Sequence, residues 1–360
     1  MTRLKRSDSS TPGIRRRGRG RGFEYLDEHG KRIEDEVVLD RIRELAVPPA
    51  WSDVWICPYP MGHIQAVGID AAGRKQYRYH QSWRERRDQQ KFDEMIEFAR
   101  ALPGMRERVT GALAEDDSLS RERVLACAVR LLDRGFFRVG GEDYAVENET
   151  YGLATLRKRH VRVEGDVITF DYMAKSGKRR IQAVMDPQVA SIVERLKRRR
   201  GGGDGLLAHK RGRRWSNIRS DDVNAYVKEV TGDAFSAKDF RTWGATVLAA
   251  QALAVSGPVA GSKRGRRRAI SRAVDEVAHY LGNTPAVCRA SYIDPRVFDR
   301  YAGGLTIGGV IETFGEAPGE GDPQAVIEAA VLDLICGHED SDAVEHADEL
   351  ERDAGAPLPA

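Results

Sequence analysis

Two helices separated by a tight turn are predicted by the segment His279-Tyr-Leu-Gly-Asn-Thr-Pro-Ala-Val-Cys-Arg-Ala-Ser-Tyr-Ile-Asp294. Gly282 favours the end of the first helix, and Pro285 suits the first turn of the second. Tyr292 then falls at the end of a short helix, where its hydroxyl can face a cleft. We therefore take Tyr292 as a candidate nucleophile.

Cationic side chains with matching chemistry lie upstream of this segment. Lys238-Asp-Phe-Arg241-Thr-Trp predicts the start of another helix, and Arg138 and Lys175 come earlier in the chain. Metal-free phosphoryl transfer needs a nucleophile, cationic groups that hold the phosphate oxygens, and a proton donor. A tyrosine, two arginines and a lysine supply all three.

Four motifs, three of which contain Arg138, Arg241 and Tyr292, resemble the type IB DNA topoisomerases, in particular the compact poxvirus-like enzymes also found in bacteria. The resemblance runs from about residue 47 to about residue 301, in the order of that family. The motifs are Phe137–Gly140, Val146–His160, Ala237–Trp243 and Gly282–Tyr292.

The resemblance implies a role for each candidate residue. Tyr292 would attack a DNA phosphodiester and form a 3′-phosphotyrosyl bond, while Arg138 and Arg241 hold the phosphate oxygens. Lys175, expected at the tip of a β-hairpin, would protonate the leaving 5′ oxygen; Lys178 is its main rival. Such an enzyme relaxes supercoiled duplex DNA and requires neither ATP nor a metal ion.

One position departs from the common pattern of the family. Most members have a histidine where this chain has Asn283, and that histidine contacts a nonbridging phosphate oxygen. Asparagine still donates a neutral hydrogen bond, but it cannot become cationic. His279, one helical turn earlier, is an alternative ligand or a structural histidine.

DNA-contacting residues are expected on a strand near the N-terminus. Alternation over residues 75–80 places Tyr77 and Tyr79 on one face and Gln76 on the other. The resemblance implies that Gln76, Tyr77 and Tyr79 contact DNA; otherwise the tyrosines would be core aromatics. Lys238 is the fourth candidate contact.

The predicted fold class is α+β. We expect a disordered basic arm at residues 1–22 and a β-rich DNA-binding domain at 23–103. A larger, mainly helical catalytic domain with a three-stranded sheet follows at 104–315, and an acidic tail at 316–360. Pro103-Gly104 is the predicted linker, and the resemblance implies that the two lobes clamp duplex DNA.

The charge distribution favours a polyanionic partner. The whole chain carries +3, but the segment from Glu316 onward has 13 acidic residues and one basic residue and so carries −12. Residues 1–315 therefore carry +15, which fits nucleic-acid binding.

The basic stretch 261–268 is expected to be either a DNA contact or a flexible loop. The acidic tail is expected to be solvated or to mimic DNA, with an apolar run at 325–335 that can dock on the body.

Other function classes lack their signatures in the sequence. The four cysteines show no CxxC pair, no metal-ligand pattern or GxxxxGK[ST] loop occurs, and no apolar run reaches the ~20 residues of a membrane span. We therefore expect a cytoplasmic protein that needs no cofactor. The resemblance further implies a monomer associated with a bacterial nucleoid.

Two alternatives remain open from the sequence. A tyrosine recombinase or integrase uses the same chemistry, but it usually has His-x-x-Arg where this chain has Lys238-x-x-Arg241, and its N-terminal domain is helical. A DNA-binding module without catalysis is favoured only by Asn283. Covalent attachment of Tyr292 to DNA distinguishes the module from an enzyme.

Overall fold

The chain forms two compact units that divide between Phe92 and Asp93 in a computed structural model. The structure describes residues 3–115, 118–257, 262–316, 322–338 and 340–346. Each unit has its own hydrophobic core.

The first unit is built on a five-stranded sheet in the order β2-β1-β3-β4-β5, in which every neighbouring pair is antiparallel. Its core lies between this sheet and helix α1. The elements of this unit are β1 (Ile14–Arg19), β2 (Gly22–Leu26), α1 (Glu36–Glu44), β3 (Ser52–Ile56), β4 (Ile64–Ile69) and β5 (Lys75–Tyr79).

The basic N-terminal segment contains the ordered strand β1, so the prediction of a disordered arm at residues 1–22 was wrong for the part that is described. Ile14 is buried in the core of the first unit. Arg16 donates hydrogen bonds to the backbone carbonyls of Val47 and Pro48 and lies 4.2 Å from the ring centroid of Phe23. The two carbonyl partners lie about 30 residues away, and together with Phe23 they stabilise strand β1 in a charge-rich stretch.

Helix α2 (Gln81–Ala114) runs through Pro103 and Gly104, so the predicted linker at these residues is wrong. Phe98, Leu102 and Met105 are buried at helical spacing on both sides of the proline. Their packing outweighs the helix-breaking tendency of Pro-Gly. The boundary between the units lies about ten residues earlier, within the same helix.

The second unit is mainly helical, which confirms the predicted α+β class. Its central helix α7 packs against α3, α6, α8, α10, α11 and α12. The helices are α3 (Arg121–Arg134), α4 (Glu142–Asn148), α5 (Pro187–Arg198), α6 (Ser220–Thr231), α7 (Ala237–Val255), α8 (Lys263–Leu281), α9 (Pro285–Ser291), α10 (Pro295–Ala302), α11 (Gly308–Glu316) and α12 (Pro323–Cys336).

The predicted three-stranded sheet is present as β6 (Val161–Glu164), β7 (Val167–Ala174) and β8 (Lys178–Met185). One face packs on the core through Ile168, Phe170 and Tyr172. Ala174 pairs with Lys178 across the β7–β8 hairpin. Lys175 therefore lies in the connecting turn, as predicted. Two short antiparallel pairs complete the sheets: β9 (Ala208–Arg211) with β10 (Arg214–Asn217), and β11 (Leu305–Thr306) with β12 (Glu345–His346).

The basic stretch 261–268 is not a loop from Ser262 onward. Ser262 caps helix α8, because its hydroxyl accepts a hydrogen bond from the amide of Gly265. Gly265 and Ala269 face the core, while Arg264 and Arg268 are exposed. The sequence analysis did not recognise this helix, because the many arginines hide the helical spacing of Gly265 and Ala269. Gly261 itself lies outside the described residues.

Part of the acidic C-terminal segment belongs to the core. Val331, Leu334 and Ile335 of α12 are buried. Glu328 accepts a hydrogen bond of 2.8 Å from Arg106, which also donates to Asp133 at 2.8 Å. Burial alone would lower the pKa of Arg106, but these two carboxylates raise it instead. The docking of the apolar run is therefore confirmed, and a tail solvated throughout is excluded.

Along the described ranges, no helix combines the length and apolar character needed to cross a lipid bilayer.

Candidate active site

A cavity of about 320 Å³ in the second unit brings together most of the predicted residues. Arg138 enters it from the segment after α3, and Lys175 from the β7–β8 turn. Lys238 and Arg241 enter from the first two turns of α7, and Tyr292 from the end of α9. Residues more than 150 positions apart in the sequence thus share one cavity.

The segment that carries Arg138 is fixed by contact between two glycines. Leu153 donates its amide to the Arg138 carbonyl at 2.8 Å. A Cβ on Gly152 would lie 2.5 Å from the Cα of Gly140 and 2.7 Å from the Arg138 oxygen. Gly140 has a φ of +87°, which other residues rarely adopt. The close approach of the two backbones fixes the backbone position of Arg138.

Arg241 is buried, with only 3% of its surface exposed, and backbone carbonyls hold its guanidinium in place. Its guanidinium donates to the carbonyl of Phe136 and, at 3.0 Å, to the carbonyl of Leu281. Its Nε is buried and has no hydrogen-bond partner among the described residues. Burial, together with the charge of Arg138, lowers the pKa of Arg241 to about 10. A negatively charged ligand in the cavity would relieve both effects.

The turn before α9 presents Asn283 to the arginines. Gly282 ends α8 in the left-handed conformation, with a φ of +66°, and the Asn283 amide donates to the Ala278 carbonyl at 3.1 Å. Arg138 donates to Asn283 Oδ1. The Nδ2 group is buried and makes no hydrogen bond of ordinary geometry within the described part of the chain. Nδ2 is thus the donor that Asn283 could offer to a ligand, and contact of this residue with a phosphate oxygen stays a prediction. His279 is exposed and packs edge-on against Tyr280.

Tyr292 ends α9 as predicted, with its amide 3.0 Å from the carbonyl of Cys288. The Cζ atom of Arg241 lies 5.5 Å from the centroid of the tyrosine ring. Burial tends to raise the pKa of Tyr292. The charges of Arg241 and Arg138, with side-chain interactions from Asn283 and Arg138, outweigh burial and lower the pKa. The site therefore makes the phenol easier to deprotonate than an ordinary tyrosine, and the phenolate is the form that attacks an electrophile.

Lys175 is exposed at the mouth of the cavity. The turn is tight because Ser176 and Gly177 both adopt left-handed conformations, each with a φ of 67°. Lys178, the rival proton donor, is the first residue of β8 and is not among the residues that line the cavity. This geometry favours Lys175 as the proton donor.

We predict that Tyr292 titrates below the ordinary tyrosine pKa of 10.0 in the free protein. The measurement is the pH-dependent ultraviolet difference spectrum between the wild type and Tyr292→Phe. Replacing Arg241 by glutamine should raise the midpoint, because it removes the charge that most stabilises the phenolate. A difference titration at or above 10 in the wild type would contradict the electrostatic account.

The DNA-contact candidates on β5 lie in the first unit. Tyr77 and Tyr79 are 42% and 38% exposed and stack with their ring centroids 5.9 Å apart, so they are not core aromatics. Gln76 is half-buried and donates to Asp70 Oδ2 at 2.9 Å. The alternation of faces is confirmed; contact of these three residues with DNA stays a prediction.

Sequence reasoning assigned no role to Thr150, although it lies within a quoted motif. Thr150 lines the cavity, and its Oγ1 is buried with no hydrogen-bond partner among the described residues. Arg241 Nε and Asn283 Nδ2 are two further unsatisfied donors near Tyr292. Unsatisfied buried polar groups are uncommon in native proteins, so a polar group of this kind in the wall of the cavity is a candidate ligand contact. A buried hydroxyl without a hydrogen-bond partner cannot be recognised from the sequence, because the folded structure determines which partners lie nearby.

Comparison with known proteins gives consistent matches. Residues 80–303 match the family model "Eukaryotic DNA topoisomerase I, catalytic core", and residues 22–70 match "Bacterial DNA topoisomerase IB, N-terminal domain". The chain is 31% identical over 265 residues to DNA topoisomerase 1B of Acanthamoeba polyphaga mimivirus, covering 71% of this chain and 77% of that protein.

More distant relatives extend the comparison. DNA topoisomerase 1 of Rabbit fibroma virus is 23% identical over 299 residues, which cover 78% of this chain and 89% of the viral protein. DNA topoisomerase 1 of Daucus carota is 28% identical over 159 residues, but these cover 43% of this chain and 19% of the plant protein. The first family model alone spans more than half of the chain.

Proposed function

The chain belongs to the type IB DNA topoisomerases, and from this premise we propose that it relaxes supercoiled duplex DNA through a transient 3′-phosphotyrosyl bond. The Tyr292 Oη attacks a phosphorus atom in one strand. The P–O5′ bond breaks, and the 5′ oxygen leaves as a hydroxyl after taking up a proton. The reverse reaction reseals the strand after the free end has rotated.

The observation that carries this proposal is the convergence of two guanidinium groups on Tyr292 in one cavity. Arg138 and Arg241 offer forked donors to the equatorial phosphate oxygens, where charge accumulates in the transition state. Arg241 is buried and Arg138 half-buried, and both guanidinium groups are held by hydrogen bonds, so they need little reorganisation when the charge develops. Nε of Arg241 and Nδ2 of Asn283 are buried and make no hydrogen bond of ordinary geometry within the described part of the chain, which supports the same role.

Asn283 would act as a neutral donor to a nonbridging oxygen. Arg138 already donates to its Oδ1, which orients the amide so that Nδ2 is the group left for substrate. In this arrangement, the positive charge near the phosphate comes from the arginines alone. We propose that this suffices for catalysis without the histidine usual in the family.

We predict that Lys175→Ala lowers the rate of strand cleavage by about 10²–10⁴, the usual contribution of a general acid. A substrate with sulfur in place of the bridging 5′ oxygen should restore the rate, because a thiolate leaves without taking up a proton. Lys178→Ala is the matched control and should cleave both substrates like the wild type. A larger loss in Lys178→Ala, or no rescue by sulfur, would reassign the proton donor.

The transesterification retains the energy of the broken bond in the phosphotyrosyl linkage, so we propose that neither ATP nor a metal ion is needed. Incubation of the protein with supercoiled plasmid in EDTA without ATP tests this directly. We expect a ladder of topoisomers that ends in relaxed circles. No relaxation in EDTA, with relaxation restored by Mg²⁺, would overturn the metal-independent mechanism.

The match of residues 22–70 to a topoisomerase N-terminal domain argues against a recombinase. A recombinase would also relax plasmids only where its recognition site occurs. Relaxation of plasmids with unrelated sequences therefore separates the two activities.

A further inference from the structure

Three arginines donate hydrogen bonds to one turn, residues 279–283, which ends α8 and precedes the nucleophile helix α9. Arg241 donates to the Leu281 carbonyl at 3.0 Å, and Arg138 donates to Asn283 Oδ1. Arg180 of β8 donates to the His279 carbonyl at 3.4 Å. The C-terminal end of a helix carries a negative partial charge, which helps this turn to accommodate three cations. The mechanism above gives the first two arginines a role and leaves Arg180 without one.

Arg180 packs directly on the backbone of this turn. A Cβ on Gly282 would lie 3.1 Å from Arg180 Nη1 and 3.4 Å from its Cδ. Because Gly282 immediately precedes Asn283, the contact of Arg180 with Gly282 also restricts the movement of Asn283. The guanidinium is held on its other side by Gln182 Oε1 at 2.8 Å and by Tyr172. Its position is thus set by strand residues whose side chains face the body of the second unit.

We propose that Arg180 is a positioning residue, which fastens the turn 279–283 to strand β8 and so orients Asn283 and Arg241 toward the scissile phosphate. Strand β8 begins three residues after Lys175, so the same contact links the hairpin of the proton donor to the turn of the phosphate ligands. The inference rests on the transesterification proposed above, and it adds a residue that does not itself touch the substrate.

Loss of Arg180 would leave the His279 carbonyl with one donor fewer and would remove the side chain that abuts Gly282. Displacements of about 1 Å at a catalytic group are enough to lower rates by ~10². We therefore expect Arg180→Ala to slow single-turnover cleavage by roughly 10- to 100-fold at saturating enzyme. The apparent affinity for DNA should change by less than about threefold, because the substrate contacts themselves remain.

The experiment measures formation of the covalent protein–DNA adduct in a single turnover, on a duplex whose cleaved end is too short to religate. Arg180→Lys should recover part of the rate, since lysine can still donate to the His279 carbonyl. Arg179→Ala is the matched control. Arg179 is the neighbouring residue, it is exposed, and it pairs with Asp171 at 2.6 Å across the hairpin. It should cleave like the wild type, and thermal unfolding should show that all variants are folded.

A double-mutant cycle with Asn283→Ala separates positioning from a general loss of structure. If Arg180 acts through the turn, Arg180→Ala should slow the Asn283→Ala protein by clearly less than it slows the wild type. Fully multiplicative effects would overturn the proposal, as would a rate of Arg180→Ala within twofold of the wild type. A loss confined to DNA affinity would overturn it too, because it would make Arg180 a DNA contact. Failure of the wild type itself to form the adduct would instead reject the proposed function.

Discussion

Replacing Tyr292 by phenylalanine is expected to abolish both the covalent adduct and plasmid relaxation while leaving DNA binding intact. The substitution removes only the oxygen that would bond to phosphorus. Removal of a catalytic nucleophile can lower turnover by on the order of 10⁶, so no activity should remain above background. The ring, which lies 5.5 Å from the Arg241 guanidinium and packs against the core, is retained.

The measurement combines a denaturing gel for the adduct with a binding assay on the same duplex. Tyr280→Phe is a suitable control, because Tyr280 is 46% exposed, lies twelve residues earlier and does not line the cavity. That variant should form the adduct at the wild-type rate. An adduct formed by Tyr292→Phe would show that another residue is the nucleophile. Absence of the adduct in the wild type, with binding preserved, would favour a DNA-binding protein without catalysis.

The parts of the fold that were predicted correctly depend on local signals. Gly282 and Pro285 mark the helix boundaries around α8 and α9 through backbone conformation alone, and both boundaries lie where the sequence placed them. Such residues act on their immediate neighbours, so their effect is visible in a short window of sequence.

The parts that were predicted wrongly depend on distant partners. Strand β1 is stabilised by hydrogen bonds from Arg16 to backbone carbonyls about 30 residues away and by burial of Ile14 in the core of the first unit. Helix α2 continues through Pro103 because residues on both sides of it are buried against the second unit's core. The fixed position of α12 depends on the contact of Glu328 with Arg106, which lies 222 residues earlier. Composition describes none of these contacts.

The candidate site was predictable in its members but not in its connections. Family motifs gave Tyr292, Arg138, Arg241 and Asn283, and the expected hairpin tip gave Lys175. The structure brings all five to one region around the cavity and the turn 279–283. The hydrogen bonds from the arginines to backbone carbonyls could not be predicted from a motif, because every residue has a backbone carbonyl. The part played by Arg180 and the unsatisfied hydroxyl of Thr150 therefore emerge only from three-dimensional contacts.

Arg241→Ala is expected to lower the single-turnover cleavage rate by at least 10²–10³, the usual cost of removing one preorganised donor to a developing charge. The substitution also leaves the carbonyls of Phe136 and Leu281 without the hydrogen bonds that Arg241 donates to them. Because Leu281 lies in the turn of Asn283, part of the loss should come from displacement of that residue.

Arg241→Lys distinguishes charge from geometry at the same position. Lysine keeps a positive charge, but a single ammonium cannot serve two carbonyls and a phosphate with the fixed fork of a guanidinium. We therefore expect Arg241→Lys to recover little of the rate, whereas full recovery would show that charge alone is needed. Arg134→Ala, which removes an arginine paired with Asp322 at 3.1 Å, is the charge-matched control and should cleave normally. Near-normal cleavage by Arg241→Ala would remove this residue from the catalytic machinery, and the phosphate would then depend on Arg138 and Asn283.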